Sequence, residues 1–188
     1  MVLDTFDAIK DDFTELRDFF VNDLRILLQS PIGGNYAAVL VTTTACEVLG
    51  PLRFENNGER TFFREYLVPN AWRPLAGSLY DALRNGLAHS YATKTIVNID
   101  GLRVELGISW QEKPHLRFDS EASTVYINVR ELVQTLILGF ETYENELKSE
   151  QELCERFRMR REKKRIVNVP DAERQAWKKL VSSQVVGA

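Results

Sequence analysis

The chain has 188 residues, 44% of them hydrophobic and 27% charged, which is enough to bury a core in one domain and is the composition of a globular protein. Its formal net charge of −3 argues against a molecule that binds nucleic acid over its whole surface. No apolar stretch reaches the roughly 20 residues that span a bilayer. The start, Met1-Val2-Leu3-Asp4, soon turns acidic and does not read as a signal or transit peptide, so the expectation is a cytoplasmic protein with no membrane partner. The charge is unevenly spread: residues 1–30 carry seven acids and three bases, residues 151–188 five acids and ten bases. Such polarity suits self-association or a basic partner-binding tail.

In chain order, Phe6, Ile9, Phe13, Leu16, Phe20, Leu24 and Leu27 recur at three- and four-residue steps and predict one amphipathic helix over 4–29. Ser30-Pro31-Ile32-Gly33-Gly34 stops it. A second helix over 35–49 is apolar on nearly every side, which implies a central place in a bundle; Gly50-Pro51 is expected to end it. Its single acid, Glu47, must be paired or solvated. Contact with solvent at the helix end is the favoured reading, contact with the motif helix the other. Cys46 lies in the same run, where a free cysteine acts as a small hydrophobe; with Cys154 it forms no metal-binding spacing.

After the Asn56-Asn57-Gly58 loop, residues 59–67 predict a short helix closed by Pro69. A further helix is expected from Trp72, with Pro74 in its first turn, where the missing N–H is not needed. The period then changes. Residues 95–99 and 102–106 alternate around Asp100-Gly101, a favoured hairpin turn, and His115–Phe118 with Thr124–Val129 reads as a second pair. The fold class expected is mainly α, a helical bundle with a small antiparallel sheet inserted at about 95–129, before the last long helix. That helix is expected to run continuously over 130–165. Residues 166–188 form a tail, in which Asp171 is placed to cap a short helix.

The chemistry-bearing stretch is Leu79 to Tyr91, LYDALRNGLAHSY. It starts as an amphipathic helix and ends with Arg84, Asn85 and His89 in the spacing R-N-x-x-x-H. The chain has two histidines, so the arrangement occurs once. This motif, late in a helix and after two long helical patterns and a shorter one, resembles the signature of the HEPN superfamily. These are small helical bundles that include metal-independent endoribonucleases of toxin–antitoxin and antiphage systems, and also noncatalytic binding or scaffold modules.

The resemblance implies a homodimer with a composite site at its interface. His89 would act as general acid and base, Arg84 would stabilise phosphate, and Asn85 would orient the pair. No cofactor or metal is implied, while RNA is the substrate and a protein antitoxin a candidate partner. The residue types suit the reaction. Histidine titrates near neutrality, and the guanidinium is an always-charged donor fork. Residues five apart on a regular helix lie about 140° apart. Arg84 and His89 therefore converge within one chain only if the helix ends or bends near Gly86, or if Arg84 reaches around. Tyr91 and Lys94, close to the motif, are candidate phosphate contacts.

The other candidate RNA contacts are Arg156, Arg158, Arg160, Arg161, Lys163, Lys164 and Arg165, seven bases within ten residues. As a helical continuation they would fall on every face, so the segment is expected to project from the bundle. From there it would guide RNA to the dimer cleft or hold an acidic antitoxin. A solvated helix end favoured by the helix dipole is the plainer reading.

Overall fold

The computed structural model describes residues 2–29, 34–90, 96–99, 102–110, 113–164, 170 and 173–178. The chain is mainly helical, with a small mixed sheet between the fifth and sixth helices. Helices α1 (Val2–Asp7), α2 (Lys10–Gln29), α3 (Asn35–Arg53) and α4 (Gly58–Phe62) come first. A π-helical turn (Phe63–Leu67) and a 3-10 turn (Asn70–Leu75) lead to α5 (Ala76–Ser90). Strands β1 (Ile96–Ile99), β2 (Leu102–Ser109), β3 (Arg117–Asp119) and β4 (Thr124–Asn128) precede α6 (Val129–Ser149) and α7 (Gln151–Lys164). No single helix among the described residues is long and apolar enough to cross a membrane.

The aromatic residues of the amphipathic helices build the centre. Phe13, Phe62, Phe140, Tyr143 and Phe157 are fully buried. Phe13 meets Phe140 and Tyr143 edge-on, at centroid distances of 6.3 and 5.8 Å. Such pairs add about 0.5–1.5 kcal/mol each beyond the area they bury. Cys46 and Cys154 are free and buried, as a small hydrophobe in a packed helix should be.

Five sequence expectations need correction. The helix expected over 4–29 breaks at residues 8–9, where the Ile9 amide donates to Phe6 O at 2.9 Å. The break lets both Phe6 and Ile9 enter the core, with α1 against α6 and α7 and α2 against α3. Second, α3 does not stop at Gly50-Pro51 but runs to Arg53. A proline near a helix end removes one bond without preventing the last turn. Gly50 has a packing role instead: a Cβ there would lie 2.3 Å from the carbonyl carbon of Gly58, so the backbones of α3 and α4 cross where neither has a side chain. Third, α5 starts at Ala76 rather than Trp72, because the chain first makes a 3-10 turn that Pro69 precedes and Pro74 sits within. The predicted 59–67 helix is present, but its second half is wound as the π turn.

Fourth, the sheet is mixed, not antiparallel. Its order is β1-β2-β4-β3, and β2 runs parallel to β4 with Leu106 opposite Val125 and Ile108 opposite Ile127. Two antiparallel hairpins are joined along that seam, which buries Leu106, Val125 and Ile127 together. Gly107 opposes Tyr126, and a Cβ would come within 2.8 Å of the tyrosine ring. Asn128 ends β4 and caps α6, accepting from the Glu131 amide at 3.2 Å. Fifth, the last helix is two: Glu150 is extended (φ −120°, ψ 102°) between α6 and α7. The bend brings Leu153, Cys154 and Phe157 into the core, so α7 packs on the bundle instead of projecting from it. Residues 173–178 are helical, and Asp171 lies outside the described residues.

Candidate functional site

Helix α5 forms because Ala76, Leu79, Tyr80, Leu83 and Leu87 recur on one face, and all are buried. Its outer face is tied to α4 by a two-pronged ion pair, Arg60 to Asp81 at 3.0 and 3.1 Å. Its next turn is tied to α3. The Nε of Arg84 donates to Oε1 of Glu47 at 2.6 Å. Glu47 is therefore in contact with the motif, the reading the sequence favoured less. Its position near the end of a buried helix puts it beside α5 rather than in open solvent.

The two side chains are 24% and 36% exposed, Arg84 and Glu47 respectively. A half-solvated pair of that kind contributes no more than about 1 kcal/mol to folding. Its stronger effect is orientation, since a carboxylate on Nε fixes the plane of the guanidinium and aims its two terminal amines. The hydrogen bond to Glu47 is also what raises the pKa of Arg84 most, keeping it charged. Tyr80, one turn before Arg84, is 3% exposed, and among the described residues its hydroxyl has no hydrogen-bond partner. Burial pushes its phenol up, and the charges of Glu47 and Glu59 push the same way while Arg84 opposes them. Sequence reading passed over Tyr80; the signal was its four-residue spacing from Arg84, which puts both on one helix face.

Helix α5 does not end at Gly86 but continues to Ser90. Backbone positions 84 and 89 are thus five residues apart on unbroken helix, about 140° around its axis, and Arg84 is committed to α3. Asn85 is half-buried. His89 lies in the last turn of α5, its side chain outside the described residues, as are Tyr91 and Lys94 altogether.

The basic run divides. Arg160 donates to the carbonyls of Pro51 and Phe54 at 2.8 and 2.7 Å, and Arg156 to that of Arg53 at 3.3 Å. These are the carbonyls that a helix end leaves without partners, so the two arginines close the C-terminus of α3. Arg158 and Lys163 are exposed and Arg161 is half-buried. Lys164 ends α7 with its side chain outside the described residues, and Arg165 lies outside them. Among the described residues no group of three or more His, Cys, Asp or Glu side chains is placed to hold a metal ion.

No family model matches this chain, and neither do curated proteins or solved structures.

Proposed function

We propose that this chain is a metal-independent, HEPN-like endoribonuclease that works as a homodimer, in the manner of a toxin or antiphage effector. The observation that carries the reading is the Arg84–Glu47 contact, which holds the motif arginine by Nε, while among the described residues its terminal amines make no hydrogen bond and suit a phosphate. Cleavage needs a base to take the 2′-hydroxyl proton as that oxygen attacks phosphorus. It also needs an acid to protonate the departing 5′-oxygen, and positive charge on the phosphorane between them. The products are a 2′,3′-cyclic phosphate and a 5′-hydroxyl. His89 serves as base and acid from two subunits, Arg84 stabilises the phosphorane, and Asn85 orients them. The continuous helix supports the need for a second copy, because it separates positions 84 and 89 within one chain.

The test is incubation of the pure protein with RNA in EDTA. Cyclic-phosphate ends that disappear in His89→Ala and Arg84→Ala are the expected result; cleavage that persists in both variants refutes the assignment. A noncatalytic binding module, holding RNA, nucleotide or a protein antitoxin, is the second reading. What favours it is the engagement of Arg84 by α3, a contact that serves assembly as well as catalysis. That reading predicts no cleavage, with binding that weakens as salt rises.

A further inference from the structure

A cleft of about 550 Å³ opens on the other flank of α3, remote in sequence from the motif. It lies between α6, the π turn and the C-terminus of α3, and its lining includes Arg53, Phe54, Tyr66, Arg73, Leu138 and Glu146. That volume is in the range of small-molecule sites, roughly 300–1,000 Å³. Its polar end repeats the device seen at Arg84. Glu146 Oε2 accepts from the Nε of Arg53 at 2.9 Å and from the Tyr66 hydroxyl at 2.5 Å. Among the described residues the two terminal amines of Arg53 donate to nothing, so its fork is presented with its plane fixed and its Cζ 5.1 Å from the centre of the Phe54 ring.

Four further features make this a built site. The π turn sets Tyr66 into the cleft, and single π turns inside helices recur at functional sites. Gly139 lets Tyr66 approach α6, since a Cβ there would be 3.2 Å from the tyrosine Cβ. Leu138, on the same wall, is 50% exposed, an apolar surface left open beside the charged end. At the other end Arg73 is held by Glu65 at 2.9 Å, and among the described residues its buried Nε has no partner.

We propose that this cleft binds a small phosphate ester with a flat apolar body, of mononucleotide size. The phosphate takes the paired amines of Arg53, a planar donor fork suited to two-point contact, and the flat body lies over Leu138, Gly139 and Phe54. The two arginines and two carboxylates that line the cleft cancel in charge, so the phosphate is held by two-point hydrogen bonding to the fork rather than by excess positive charge. The proposal uses none of the motif residues and does not depend on ribonuclease activity.

The probe is adenosine 5′-monophosphate, titrated calorimetrically into the full chain, with adenosine and inorganic phosphate as separate arms. The monophosphate should bind more tightly than either fragment. Arg53→Lys keeps the charge and loses the fork, and should weaken binding about tenfold. Leu138→Glu places a carboxylate on the open wall without touching the core, and should abolish binding while the melting temperature stays put. Arg84→Ala should bind as the parent does. The proposal is overturned by no heat at millimolar monophosphate. It is equally overturned by binding that survives Leu138→Glu, or by binding lost in Arg84→Ala, which would place the nucleotide at the motif.

Discussion

Replacing Gly50 by alanine places a methyl carbon 2.3 Å from the carbonyl carbon and oxygen of Gly58 and 2.4 Å from the Glu59 amide. Comfortable carbon contacts begin near 3.5 Å, so the two helices must separate by more than about 1 Å. The obstructing atoms are backbone, which has no rotamer to yield. Overpacking of a core costs about 1–3 kcal/mol where side chains can adjust, and a backbone collision belongs at the top of that range. At about 2–4 °C per kcal/mol for a chain of this size, 3 kcal/mol lowers the melting temperature by about 6–12 °C. Gly77 supplies the control, because a Cβ there meets nothing within 4 Å. Gly77→Ala should raise the melting temperature by about 2 °C, through helix propensity alone. Circular-dichroism melts of both variants beside the parent decide the matter. If Gly50→Ala melts with the parent, the crossing of α3 and α4 described above is wrong, and with it the placement of Glu47 against α5.

On the proposed ribonuclease reading, Glu47→Gln should lower RNA cleavage by about 10- to 100-fold, the worth of one charge-assisted hydrogen bond in the transition state, with an unchanged circular-dichroism spectrum; undiminished turnover would remove Glu47 from the site. Arg160→Ala should lose about 2 kcal/mol in urea denaturation by stripping two α3 carbonyls of their donor, while the salt dependence of RNA binding stays constant. Arg158→Ala and Lys163→Ala should do the reverse, leaving stability alone and reducing the salt slope if these exposed side chains meet phosphate. Burial depresses the pKa of His115, against the opposing pull of Glu131. The unfolded value is about 6.5, so the contribution of neutral His115 is full above that pH and is lost as the pH falls from it toward the lower folded value. The urea midpoint should therefore drop between pH 7.5 and 5.5, and less steeply in His115→Gln; equal slopes would contradict the assignment.

The helices were legible wherever burial demands a single stripe. The three- and four-residue steps of Phe13, Leu16, Phe20 and Leu24, or of Leu132, Leu136, Phe140 and Tyr143, are direct consequences of packing one face on a core. Their interruptions were not legible, because residues 8–9 and Glu150 sit inside patterns that satisfy a continuous helix equally well. What decides there is the direction in which the next helix must turn to bury Ile9 or Phe157, a tertiary constraint. Pro51 misled for the opposite reason: the local rule was sound, but Arg156 and Arg160, more than 100 residues away, supply the donors that let α3 run to Arg53. Likewise the strand pairs were visible in their alternation, whereas the parallel join of β2 to β4 depends on Gly107 yielding its space to Tyr126. For the candidate site, the arginine and its helix were readable in advance. The carboxylate that holds it depended on how two helices lie together.

The closure of α3 by Arg160 also sets a schedule. The carbonyls of Pro51 and Phe54 are made early in synthesis, but the guanidinium that satisfies them arrives more than 100 residues later. During translation the first helices emerge with an unfinished seam, which the ribosome completes only after residue 160 has cleared its tunnel. A nascent chain stalled in the loop before α7 should therefore remain sensitive to protease around residues 50–58, and gain resistance abruptly once α7 is released.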